Sequence, residues 1–262
     1  MESNITLFKA TFNKSVWLLK RYLFNTVMLL VGLYVLFVML FVGGKEIAPT
    51  VVADSLGPLI VGYFVWIMAT KAYQETSSDI TREAQWGTLE QLHLTPYGIG
   101  RVVIFTSLVN VLITLLMGGA MLLAMLLTLA VLSSGVTLQI DLLTVVPLTI
   151  LTVLPVIGLG LFFGGLALLY KRVGEVASLM QLLFIVFLAL PVDAHPALRV
   201  LPLTLGTTLL EQAMTTGTAV WQFPVSELVV LLSTAFVYLV GGYLLFQVLL
   251  NRARKLGVLG HY

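Results

Sequence analysis

The side chains able to do chemistry in this chain are few and scattered. Three histidines, His93, His195 and His261, stand far apart with none four residues from another. Zinc ligands come in clusters, so no metal site is expected. Cysteine is absent, which excludes disulfides, thiolate metal sites and cysteine nucleophiles. Spacing brings together no serine, histidine and acid constellation. The phosphate-cradling pattern G-x-x-x-x-G-K-[ST] is missing too, because Gly43-Gly44-Lys45 has neither its spacing nor its hydroxyl. No catalytic residue and no cofactor of its own are assigned to the chain.

Polarity concentrates instead between Lys71 and Arg101. Within that stretch Gly87 breaks the chain and Thr88 is placed to cap a new helix, with Gln91 three residues on completing a capping-box pattern. Glu90 falls in the first turn and His93 in the last, as the helix dipole prefers, and Pro96 disfavours helix at Thr95. The spacing predicts a two-turn helix over about 89–95, with Leu89 and Leu92 as a small apolar knob. So short a helix is unstable alone in water. It either docks on a partner or folds back on its own bundle.

The elements around it are set by composition. The chain has 262 residues, 59% of them hydrophobic and 10% charged, with a mean hydropathy of +1.05. Soluble domains carry about 25% charged residues, so a soluble enzyme, a nucleic-acid binder and a disordered chain are all excluded. An all-α integral membrane protein remains. A spanning helix needs roughly 20 apolar residues, and the sequence offers six candidates, over about 22–42, 56–73, 102–132, 142–170, 176–190 and 227–250. Residues 1–21 precede them. Ile5, Phe8, Phe12, Val16 and Leu19 recur there at spacings of three and four, which predicts an amphipathic helix in the membrane interface. One transmembrane domain occupies the whole of 1–262, with no nucleotide-binding domain.

Basic residues orient these spans, since they are retained on the cytoplasmic side. Twelve of the 14 Lys and Arg fall in one set of loops and termini, and only Lys45 and Arg199 in the other. Both termini are therefore expected in the cytoplasm, which requires an even number of spans. Away from their ends the spans hold no Asp, Glu, Lys or Arg, which counts against a proton- or ion-coupled carrier. Asn110, Thr114 and Gln181 are among the polar residues at membrane depth; they either line a path or bond between helices. Gly158, Gly160, Gly164 and Gly165 lie in one span and predict close helix packing. After the fifth span, Pro191, Pro196 and Pro202 break a mildly hydrophobic segment that suits short re-entrant helices.

Arg82-Glu83, then Gly87-Thr88-Leu89-Glu90-Gln91-Leu92 and Thr95-Pro96, resemble the segment between spans two and three of ABC-type exporter permeases of the six-span class called type 2. Leu201-Pro202-Leu203-Thr204 resembles a second element of that family, with Leu201 where Asn is usual, and Arg252 to Lys255 resembles its basic tail. The resemblance implies a permease that exports a drug-like, lipid or other amphipathic molecule from the plasma membrane of a prokaryotic cell. Its short cytoplasmic helix would be a coupling helix, seated on a separate ATPase subunit that supplies ATP and Mg. That role would fall on Glu83, Gly87, Thr88, Leu89, Glu90, Leu92 and Thr95, with Lys171, Arg172 and Glu175 in a secondary contact. Two permease subunits, identical or different, would enclose the path. Tyr63, Trp66, Gln181 and Leu190 would line it, and the outer re-entrant element would carry Pro191 and Pro202. The alternatives are export of a lipid-linked glycan, or a stand-alone membrane carrier or enzyme with no ATPase.

Overall fold

The computed structural model describes residues 2–47, 49–88, 98–131, 138–170 and 173–256. Among the described residues the chain is all helical. Its α-helices are α1 (Glu2–Arg21), α2 (Leu23–Ile47), α3 (Pro49–Gln85), α4 (Gly98–Val131), α5 (Leu142–Leu169), α6 (Val173–Ala189), α7 (Thr204–Thr216) and α8 (Val225–Lys255). Short 3₁₀ turns cover Val192–Ala194, Pro196–Val200 and Val220–Gln222. Among the described residues five helices hold segments long and apolar enough to cross a membrane: Leu23–Gly44, Leu56–Gln85, Gly98–Val131, Leu142–Leu169 and Val225–Lys255. The stretch expected as a fifth span does form a helix, α6, but its 17 residues reach only about 25 Å at 1.5 Å per residue.

The centre of the bundle is α5, with α3 on one side and α8 on another. Its glycines explain the approach. A Cβ on Gly158 would sit 2.0 Å from the Tyr238 carbonyl oxygen, and one on Gly242 would sit 2.0 Å from the Gly158 carbonyl oxygen. The two backbones touch. On the side toward α3, Gly160 and Gly164 receive Thr76 and Ile80. Without a hydrophobic force between helices in lipid, this close fit is what holds such pairs together, as the small-residue spacing predicted.

Aromatic rings fasten the outer helices to α3. The Tyr73 ring meets Phe163 of α5 edge-on at 6.0 Å and Phe184 of α6 at 5.5 Å. Tyr63 packs against Phe37 of α2 at 5.6 Å and donates its hydroxyl hydrogen to the Leu33 carbonyl at 2.6 Å. Otherwise α2 is lightly held: Phe37 and Phe41 are buried while Val27, Met28, Met39 and Leu40 face outward. In α1 the face turned to the protein is not the predicted apolar line. Leu7 and Thr11 are buried, whereas Ile5 and Phe12 are exposed. Phe8 lies between the two faces and meets Phe105 of α4 at 6.4 Å.

Between α6 and α8 no described helix is long enough to cross. The Arg199 guanidinium reaches Asp193 at 3.1 Å. The Thr204 hydroxyl donates to the carbonyls of Leu198 and Leu201 at 2.6 and 2.9 Å, closing the turn that starts α7. Pro202 is buried in that turn and Pro191 is exposed before the first 3₁₀ turn. Asp141 caps α5, accepting from the Leu143 N–H at 3.2 Å and the Thr144 hydroxyl at 2.6 Å. The Thr144 oxygen accepts in turn from the Val220 N–H at 3.0 Å, which ties the returning segment down.

Replacing Gly158 by Ala puts a methyl into backbone that cannot withdraw. Overpacking of this kind costs about 1–3 kcal/mol or more, so Gly158→Ala is expected to lower the thermal unfolding midpoint in detergent clearly. Gly241→Ala, with open space around the new carbon, is expected to leave it unchanged.

Candidate functional site

The polar residues of α3 are helical from end to end. Lys71, Glu75, Asp79 and Arg82 stand at spacings of four, four and three, so they form one stripe on one face. The Lys71 ammonium reaches Glu75 at 2.5 Å. The Arg82 guanidinium reaches Glu75 at 3.5 Å and also bonds Asp79. Across the seam to α4, the Asn110 amide donates to Asp79 at 2.7 Å, and Asn110 itself is buried. Two cations and two carboxylates therefore neutralise one another along the helix. Asn110 is thus an interhelical partner, and it also stands in the wall of the larger cavity described below.

The last turn of α3 is fastened at Glu83. Its carboxylate pairs with Lys14 of α1 and accepts from the Thr88 hydroxyl, which also donates to the Glu83 carbonyl at 3.2 Å. Gly87 takes a left-handed φ of +68°, a conformation that costs glycine nothing, and its N–H donates to the Ala84 carbonyl at 3.1 Å. Glu83, Gly87 and Thr88 thus come together at one finished helix end. The donor side of Thr88 is used on Glu83, while capping a following helix would draw on the oxygen lone pairs. Leu89, Glu90, Leu92 and Thr95, with the rest of the 89–95 helix, lie outside the described residues, as do Lys171 and Arg172. The backbone of Glu175 falls in the first turn of α6.

Two adjoining cavities flank the stripe. The smaller, about 230 Å³, is walled by α2, α3, α4 and Gln181 of α6. Of the residues expected to line a path it holds Trp66 and Gln181, and Gln181 accepts from the Gln74 amide at 3.2 Å. Tyr63 stands in the seam between α2 and α3 instead. Leu190 lies past the end of α6, nine residues or roughly 14 Å beyond Gln181, and is not part of this wall. The larger cavity, about 320 Å³, contains Lys71, Glu75, Asp79 and Arg82 in its wall, together with Tyr22 and Trp86. Lys71 and Met117 belong to both.

The chain matches no protein-family model, no curated protein and no solved structure. What stands is a helical protein with five candidate membrane spans. Among the described residues no group of three or more His, Asp or Glu could hold a metal ion. The arrangement offers paired charges, amide donors and apolar walls.

Sequence reading missed the stripe and its cavity because it ended the second span at Tyr73 and took the polar residues beyond as a connection. The signal was present: charges at 71, 75, 79 and 82 keep helical spacing, and no Gly or Pro interrupts 59–85 except Gly62. Replacing Asn110 by Ala leaves the Asp79 carboxylate short of one buried donor. That loss is expected to cost about 1–3 kcal/mol in denaturant unfolding. Asn110→Ala combined with Asp79→Ala is expected to cost less than the two single changes together, which a double-mutant cycle reads directly.

Proposed function

We propose that the chain is the transmembrane permease subunit of an ATP-driven exporter, with ATP and Mg handled by a separate ATPase subunit and a second permease subunit completing the path. The observation that carries this reading is the continuity of α3. It spans Pro49–Gln85 with Pro58 inside it; from 59 to 85 no proline interrupts it, about 40 Å at 1.5 Å per residue, against a hydrocarbon core about 30 Å thick. A single rigid rod therefore links the packed interior at Tyr73 to the fastened end at Glu83, Gly87 and Thr88. The segment that resembles a coupling helix begins there. A push delivered at residues 88–95 would reach the cavity walls without a hinge to absorb it.

The rest of the reading is consistent with that rod. With α6 as a sixth, short span, both termini and the basic loops share the cytoplasmic side, as the split of Lys and Arg requires. The short helices between α6 and α8 would then form the outer re-entrant element. The 13 residues of α7, about 20 Å, are too few to cross. Apolar walls beside a polar stripe favour an amphipathic cargo.

The test is coupling. In the permease reconstituted with its ATPase subunit, Gly87→Pro and Leu89→Asp are expected to abolish cargo-stimulated ATP hydrolysis while leaving expression and membrane insertion at parental levels. Parental stimulation in both variants would contradict the assignment.

A further inference from the structure

Threonines in these helices have a settled habit. Thr76, Thr128, Thr149 and Thr152 each donate to the carbonyl four residues before, at 2.6–2.9 Å. Thr70 and Thr114 do not. Their hydroxyls are buried without a hydrogen-bond partner, and so is the indole N–H of Trp66. All three residues line the smaller cavity, which is otherwise walled by leucine, isoleucine, methionine and one glycine apart from Lys71, Gln74 and Gln181. Thr114 is only 2% exposed. Buried polar groups in native proteins are nearly always satisfied, and unpaired ones call for a missing partner. An indole can only donate, so the partner of Trp66 is an acceptor.

The charges beside this patch narrow the partner further. The adjoining cavity has two cations and two carboxylates in its wall, hence no net charge, together with the rings of Tyr22 and Trp86. Aromatic rings beside carboxylates recognise quaternary ammonium groups, and Lys71 and Arg82 offer donors to a phosphate. A cavity of about 150 Å³ accommodates one benzene. The 230 Å³ between α2, α3 and α4, about one and a half times that, holds the first part of one alkyl chain and not two chains side by side.

We propose that the two cavities are one binding site for a single-chain zwitterionic amphipath of the lysophospholipid type. The chain lies between α2, α3 and α4. Its ester or hydroxyl oxygens meet Trp66, Thr70 and Thr114, its phosphate meets Lys71 and Arg82, and its ammonium lies against Glu75, Asp79 and the two rings. Lys71, present in both walls, marks the junction of head and tail. As a cargo class the inference rests on the exporter reading; as a binding site it stands on the permease alone.

The experiment uses the full chain in nanodiscs of two-chain lipid, without any ATPase, so its outcome is separate from that of the coupling test. Trp17→Phe and Trp221→Phe remove the two tryptophans that line neither cavity and leave Trp66 and Trp86 in the proposed site. Lysophosphatidylcholine brominated on its chain is titrated in and tryptophan fluorescence is monitored. Saturable quenching is expected, at least tenfold tighter than for lysophosphatidylglycerol with the same chain. Thr70→Val with Thr114→Val is expected to weaken it at least tenfold while keeping or raising the unfolding temperature of the empty protein, since two unpaired hydroxyls are removed. Quenching that rises without saturation, or is equal for the two headgroups, would overturn the proposal whatever the double variant does. Saturable quenching unchanged in the folded double variant would overturn the role given to the threonines.

Discussion

A helix that carries charge into a packed seam must satisfy that charge there, because a buried charge without a partner is costly. In α3 the solution is a stripe whose members answer one another. Lys71 pairs with Glu75, Arg82 reaches both Glu75 and Asp79, and Asn110 brings a donor from α4. The same satisfaction lets the helix continue to Gln85 without fraying. Much of the surrounding structure serves to hold this one element: Gly160 and Gly164 of α5 receive it, Tyr73 binds it to α5 and α6, and Tyr63 binds it to α2.

Holding the rod firmly on one side and loosely on the other has a mechanical consequence. The contact of α5 with α8 is backbone on backbone, and toward α3 the Tyr73 carbonyl, Thr76 and Ile80 close directly on Gly160 and Gly164. Much of α2, by contrast, is exposed, and it meets α3 through a few aromatic rings and one hydroxyl. A displacement of the end at Glu83 would therefore open or close the space between α2, α3 and α4 more readily than it would part α3 from α5. The cavities lie in that yielding seam. Lys14 extends the linkage to α1, so α1 and the rod would move together.

Much of the bundle was legible in the sequence because lipid imposes a simple rule of length. The fourth expected span, 142–170, and the observed α5, Leu142–Leu169, nearly coincide, since Asp141 and Tyr170 punctuate a long apolar run. The glycine pattern of α5 announced its close packing for the same reason. Hydropathy could not show that α3 continues past Tyr73, because a polar helix and a polar connection read alike on that scale. Periodicity of the charges would have separated them. For α1 the apolar line at Ile5 and Phe12 identified a helix but not the face that docks, since Thr11 and Lys14 meet the bundle while Ile5 and Phe12 are exposed. The unpaired hydroxyls of Thr70 and Thr114 had no signature at all; they emerge only when each carbonyl's donor is known.

The central claim is that α3 transmits force as one stiff body. With no native cysteine, spin labels at Gly62→Cys and Gln85→Cys report on it cleanly through their distance distribution in the reconstituted complex. Twenty-three residues of unbroken helix set their backbones roughly 35 Å apart. The account predicts one narrow distribution, reflecting that separation and identical with and without ATP; a distribution that shortens or broadens on ATP addition would mean the rod bends between the cavity and its fastened end, and would contradict it.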